Sequence, residues 1–159
     1  MNTTKAPLML GWREWVALPG LNVPALKCKV DTGARSSALH AFSVESFMRD
    51  GEEWVRFGLH PNQQETTTEI WCEAKVLDKR NVTDSGGNTS ERYFIQTEVV
   101  VGEQCFSIEL SLTSRDTMMF RMLLGREAMR ERFVVDPGAS YLQPLTGPTL
   151  TDQSKATSL

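Results

Sequence analysis

Apolar side chains in this sequence recur at every second position more often than at helical spacing. Leu26-Lys27-Cys28-Lys29-Val30 alternates apolar with basic residues, residues 70–77 alternate over the whole stretch, and residues 105–112 do so cleanly. Each is the period of a strand with one covered face. Residues 8–12 and 15–18 are short apolar runs, and Pro19-Gly20 turns the chain from the second of them into residues 23–30. Further strands are expected at residues 37–42, at 54–59 from their aromatic and β-branched content, and at 93–101, 133–136 and 140–142. Residues 118–124 are almost continuously apolar, as in a strand buried on both faces.

The punctuation between these runs is that of hairpins. Asp50-Gly51 is a hairpin signal, and Gly102-Glu103 is a second tight turn. Residues 60–69, polar and rich in Thr and Gln, read as a loop, and Asp84-Ser85-Gly86-Gly87-Asn88-Thr89-Ser90 reads as a mobile tip between strand candidates at 74–77 and 93–101. Gly125 breaks the last long apolar run, and residues 126–132 have the composition of a short helix. The expected fold is all-β with one short C-terminal helix, a single domain over residues 1–145. A polar tail at 146–159 is expected to be disordered.

Composition narrows the function classes. The chain has 159 residues, the range of one ordinary domain. Its 17 basic and 20 acidic side chains leave a formal net charge of -3, with no basic excess for nucleic acid or an anionic membrane. Cys28, Cys72 and Cys105 are odd in number and show no C-x-x-C spacing, so neither a disulfide framework nor a zinc ribbon is written. With no signal-peptide pattern and no membrane-length apolar run, the expected compartment is the cytoplasm.

Two short motifs carry candidate chemistry. Asp31-Thr32-Gly33 places a carboxylate at a strand end with Gly two residues on, so that turn N–H groups can fix its orientation. Asp and Gly are also ordinary turn residues, and chance gives a D-T-G in such a chain on the order of a per cent or two of the time. Met122-Leu123-Leu124-Gly125-Arg126 ends an apolar strand on Gly and Arg, a place where a guanidinium often pairs with a buried carboxylate. Alone it reads more readily as a structural ion pair at a helix start.

In this order, with a Gly-rich tip between them, the two motifs resemble a retroviral-type aspartic protease, the single-lobed relative of pepsin. The resemblance is closer still to the bacterial family catalogued as ATP-dependent zinc proteases, found beside ATP-grasp glutamate ligases of the RimK type. It rests on Asp31-Thr32-Gly33-Ala34-Arg35-Ser36-Ser37-Ala38-Leu39-His40-Ala41 and on residues 113–126, and it covers residues 8–143. It implies a retropepsin-like single-lobe β-barrel that acts as a homodimeric aspartic endopeptidase. Asp31, Thr32 and Gly33 would be catalytic, with one Asp31 from each copy activating water. Asp136-Pro137-Gly138 is the nearest second copy of the motif, but its Pro lacks the backbone donor.

The same resemblance makes the Gly86-Gly87 hairpin a flap over substrate, with Ala34 and Arg35 beside the reacting bond. Arg35 stands where retroviral proteases carry an acid, so Arg126 is left to pair with Glu127 or Asp116, or to face the cleft. Arg35, Arg92, Arg115 and Arg121 facing inward would favour acidic peptides such as glutamate-rich tails; the alternative is that most are solvated charges. For zinc, His40 is the one candidate ligand; there is no H-E-x-x-H, and a lone His on a strand is more often structural. The chain has no phosphate-binding glycine motif, so an ATP requirement would belong to a partner. The expectation is a cofactor-free peptidase. Its alternatives are a zinc-dependent peptidase and a non-catalytic regulatory partner of the glutamate ligase.

Overall fold

The computed structural model describes residues 6–63, 65–114 and 119–145. In chain order the strands are β1 (Leu8–Leu10), β2 (Arg13–Leu18), β3 (Val23–Val30), β4 (Ser37–His40), β5 (Ser43–Arg49) and β6 (Glu52–Leu59). They continue with β7 (Ile70–Lys75), β8 (Asp78–Thr83), β9 (Thr89–Val101), β10 (Gln104–Thr113) and β11 (Met122–Leu124). Helix α1 (Arg126–Met129) and β12 (Phe133–Val135) complete the set, and a 3-10 turn at Pro19–Leu21 joins β2 to β3. The fold is all-β with one short helix, as the alternation predicts.

The main sheet runs β10-β4-β11-β3-β2-β9-β8. Because β10 also pairs antiparallel with β9, the pairings run in a circuit through β4, β11, β3, β2, β9 and β10. The join between β2 and β9 is the single bridge Ala17–Val100. Inside lie Leu10, Val16, Leu18, Leu26, Cys28, Ile95, Leu110, Met122 and Leu124, all fully buried. Removing a side chain of this size from water contributes roughly 1.5–3 kcal/mol, so the alternating strands can be held in register by this one interior. A second sheet, β5-β6-β7, adds Val55, Phe57 and Leu59 to the same core. A two-stranded parallel sheet, β1-β12, closes one side.

Turn chemistry is obeyed where the chain reverses. Asp50 (φ +52°) and Gly51 (φ +79°) are both left-handed between β5 and β6, the geometry that a two-residue hairpin favours. Residues 60–63 and 65–69 are irregular and bonded to one another, with the Glu65 carboxylate accepting from Asn62, Thr67 and Thr68.

Several expectations differ from the structure. The arm before the 84–90 tip is a strand of its own, β8, paired with β9 from Asp78–Phe94 to Thr83–Thr89, and not a continuation of residues 70–77. That run stops at Lys75: the Val76 N–H bonds to Glu53 O and the Leu77 N–H to Phe94 O, so the chain passes from one sheet to the other. The strand expected at 118–124 is confined to Met122–Leu124; Met118 lies outside the described residues. The helix ends at Met129 because Arg130 leaves helical geometry at ψ 131° and Glu131 turns left-handed at φ +67°. Residues 140–142 are not a strand, since Tyr141 sits at φ +55° and the segment is held by side chains of the opposite end of the chain. Residues 146–159 lie outside the described residues.

Candidate active site

Asp31 follows the last residue of β3, and its N–H donates to Leu124 O of the parallel neighbour β11 at 2.9 Å. Its Oδ1 accepts the Gly33 N–H at 2.9 Å and the Ala34 N–H at 3.2 Å. The carboxylate is thereby folded over its own turn and fixed in direction, leaving Oδ2 unused by the turn. Thr32 and Gly33 are exposed. A Cβ on Gly33 would stand 3.2 Å from Asp31 Oδ1, so glycine keeps the space above the carboxylate open.

The second motif clamps this loop. Beyond the bond from Asp31 to Leu124, the Arg126 N–H donates to Ala34 O at 2.7 Å and the Glu127 N–H to Arg35 O at 3.0 Å. Gly125 lies so close to the next stretch that a Cβ would meet Ser36 O at 2.4 Å. Glycine is needed there for contact and not for conformation, since its φ of −93° is open to any residue. Two buried serines complete the support: Ser37 Oγ accepts the Gly125 N–H at 3.0 Å, and Ser111 Oγ donates to Ser37 O at 3.2 Å. Sequence reasoning passed over both, because a small hydroxyl at a strand end carries no motif.

Arg126 does not pair with an acid among the described residues. Its Nη1 donates to Thr32 O at 3.2 Å, while Glu127 pairs with Arg35 at 3.4 Å, with both side chains largely in water. The expected Arg126–Glu127 pair is therefore not formed; the arginine after Asp-Thr-Gly-Ala takes the glutamate after Gly-Arg instead. Asp116 lies outside the described residues.

These elements line a cleft of about 980 Å³. Asp31, Gly33, Ala34 and Arg35 contribute from the β3–β4 turn, and Arg80–Ser85, Arg92 and Phe94 from the β8–β9 hairpin. Gly86 and Gly87 are at the tip of that hairpin and do not line the cleft themselves. Asp84 organises the tip, its Oδ1 accepting from the Gly86 and Asn88 N–H groups, while Gly87 takes the left-handed position at φ +85°.

Of the four arginines expected to face inward, Arg35 and Arg92 do. Arg121 is buried next to β11, its Nε donating to Asn62 O at 3.4 Å, so it braces the 60–69 loop and does not line the cleft. Arg115 lies outside the described residues. The cleft has instead Arg80, directly across the hairpin from Arg92. Arg80 lies over the Phe94 ring and pairs with Asp78 and Glu109, and these partners, Asp78 first, hold its guanidinium charged. It was missed because β8 was not expected, yet residues 89–94 require some partner strand of equal length.

His40 is buried in β4 and hydrogen-bonded by its N–H to Arg121 O. Among the described residues no three of His, Cys, Asp and Glu stand close enough together to hold a metal ion. Burial pushes the Cys28 thiol up to about 12 and the Cys72 thiol to about 11, which makes them poor nucleophiles. Asp136-Pro137-Gly138 forms the same carboxylate-to-glycine turn as Asp31, with the Gly138 N–H 3.0 Å from Asp136 Oδ1, but on the exposed surface outside the cleft. No helix among the described residues is long and apolar enough to cross a membrane.

Comparison with known proteins bears on this geometry. The family model described as RimB-like, retropepsin-like aspartic endopeptidase RimB, matches residues 9–146. A "Probable alpha-L-glutamate ligase" of Shewanella pealeana is 47% identical over 133 residues, 84% of this chain and 29% of that protein. One of Desulfotalea psychrophila is 44% identical over 137 residues, 86% of this chain and 30% of that protein. The chain thus spans under a third of the length of these curated relatives. A crystal structure of a Legionella pneumophila protein of unknown function superposes with a TM-score of 0.72 at 25% identity, covering 86% of this chain and 98% of the other.

Proposed function

This chain belongs to the RimB-like family of retropepsin-like aspartic endopeptidases, and from that premise we propose that it is an aspartic endopeptidase whose catalytic pair is Asp31 from each of two copies. The observation that carries this reading is the Asp31 carboxylate, held by two turn N–H groups in the lining of a cleft that a long β-hairpin also lines. The chain has one Asp-Thr-Gly, so the second carboxylate comes from a twin across a two-fold axis. Thr32, exposed beside it, would meet the partner's backbone.

Two carboxylates about 3 Å apart cannot both ionise, so the pair holds one proton between them. The ionised Asp31 takes a proton from a bound water as the water oxygen attacks the peptide carbonyl carbon. The protonated Asp31 gives its proton to the carbonyl oxygen. Collapse of the resulting diol breaks the C–N bond as the protonated Asp31 passes its proton to the leaving nitrogen and the ionised Asp31 takes a hydroxyl proton from the diol, which restores the one-proton pair. No bond forms between protein and substrate. The tip at Gly86-Gly87 closes over the substrate and keeps bulk water out.

We propose acidic peptides as the substrate class, because Arg35, Arg80 and Arg92 all line the cleft. Arg35 pairs with Glu127 and Arg80 with Asp78 and Glu109, so a substrate carboxylate would take the place of one of these partners. The test is hydrolysis of a glutamate-tailed peptide by the wild-type chain and by Asp31→Asn, over a dilution series from acid to neutral pH. Loss of activity in the variant, with specific activity falling on dilution, is the expected result. Activity retained by Asp31→Asn, or lost to a chelator and restored by zinc, removes the aspartic mechanism.

The relatives' name favours a second reading, a regulatory partner of a glutamate ligase. Stoichiometric binding to a purified ligase by a chain that cleaves no acidic peptide would select it.

A further inference from the structure

We propose that Ser37 is a positioning residue for Asp31, acting through the turn that joins β11 to α1. The inference rests on Asp31 being the catalytic carboxylate. Among the described residues, every main-chain hydrogen bond that holds residues 31–35 from outside comes from residues 124–127: Asp31 N–H to Leu124 O, Arg126 N–H to Ala34 O and Glu127 N–H to Arg35 O. The position of the carboxylate is therefore inherited from that turn. The turn is fixed at Gly125, which packs against the Ser36–Ser37 peptide too tightly to accept a Cβ.

A tight contact sets how near Gly125 can come but not its orientation. Orientation is set by the Ser37 hydroxyl, 2% exposed, which takes the Gly125 N–H at 3.0 Å. Ser37 is itself held by Ser111, whose hydroxyl donates to Ser37 O from the neighbouring strand β10. The path runs from β10 to Ser37, from its hydroxyl to Gly125, and from the 124–127 turn to the Asp31 loop. Ser37 lines no part of the large cleft. Its effect on the reaction comes through the direction in which the Asp31 oxygens point.

The experiment compares Ser37→Ala, which deletes the acceptor, with Ser37→Thr, which restores it. Amide hydrogen exchange at Asp31, Arg126 and Glu127 is read against exchange at Val55 and Phe57 in the separate β5–β6 hairpin. Peptidase kinetics are run in parallel. In Ser37→Ala the three amides are expected to exchange on the order of tenfold faster than the reference pair accounts for. The same variant should lose about tenfold in kcat with KM little changed, and Ser37→Thr should recover both. Uniform acceleration that includes Val55 and Phe57, or a Thr variant indistinguishable from Ala, reduces Ser37 to a stability residue and overturns the proposal. Should Ser37→Ala fold poorly, Ser37→Cys, a weaker acceptor of similar size, is read in the same way. If the wild-type chain cleaves no peptide, the peptidase reading fails, while the exchange data alone still decide whether Ser37 places Asp31.

Discussion

Glu14 is fully buried, and the energetic demand it makes on the fold can be measured. Its Oε2 accepts the Gly11 N–H at 2.6 Å and the Leu142 N–H at 2.9 Å, and its Oε1 accepts the Gln143 N–H at 3.0 Å. Arg13, the adjacent cation, turns instead to Ser140 and lies between the Trp12 and Tyr141 rings. The carboxylate is thus held by backbone donors, and in return it straps residues 142–143 onto the start of the chain. Hydrogen bonds to a charged acceptor contribute roughly 1.5–3 kcal/mol each, and a buried donor left without one costs about 1–3 kcal/mol. Glu14→Ala strands the buried Gly11 N–H and removes the charged acceptor of the two half-buried amides, for a total of about 4–9 kcal/mol. That approaches the whole stability of a typical domain, roughly 5–15 kcal/mol.

Glu14→Gln is the more discriminating change, since it keeps the volume. Its amide oxygen can stand where Oε2 does and keep the bonds from Gly11 and Leu142, but its NH₂ group then faces the Gln143 N–H, donor against donor. A loss of about 2–3 kcal/mol is expected, read as a lower denaturation midpoint in urea at unchanged slope. A second readout is Cys28, Glu14's cross-strand neighbour, whose thiol is pushed up to about 12 by burial first and by the Glu14 charge second. Neutralising Glu14 should bring it down. A Gln variant within about 0.5 kcal/mol of wild type, the scatter of neutral surface substitutions, would refute the view that a buried charge holds the strap.

Gly125→Ala forces a methyl against the Ser36 carbonyl at 2.4 Å, and backbone cannot swing aside as a side chain can. Overpacking of this kind costs about 1–3 kcal/mol, and the proposed peptidase activity should fall well beyond what the variant's lowered midpoint explains. In the 60–69 loop, the Thr68 N–H first, then Asn62 and the Thr68 hydroxyl, hold Glu65 well below its ordinary 4.5, at about 2. Because the folded value is the lower one, the loop's contribution is present above the unfolded value and is lost as pH falls through the folded one. NMR of the Thr67 and Thr68 amides should therefore show the loop loosening between about pH 4 and pH 2, and a Glu65 titration at its ordinary value would remove the effect.

How far the site could be read from the chain follows from where the information sits. Asp31-Thr32-Gly33 and Leu124-Gly125-Arg126 are local words whose chemistry is complete within a few residues, and alternation with a period of 2 needs only a strand's own length. Both were legible, and the two motifs do meet, through Leu124, Ala34 and Arg35. What stayed hidden is relational. Strand β8 is polar, Asp78-Lys79-Arg80-Asn81-Val82-Thr83, and becomes a strand because β9 offers it a ladder, so local propensity could not reveal it or Arg80. Residues 140–142 have strand-like composition but answer to Glu14, which is 128 positions from Leu142 in sequence. Arg121 and Arg92 look equivalent as basic residues, and only the folded chain sends one under a loop and the other into the cleft. Ser37 is the sharpest case. Its neighbours in sequence mark it as the first residue of a strand, whereas its hydrogen bond to a glycine 88 positions away is what ties it to the carboxylate at Asp31.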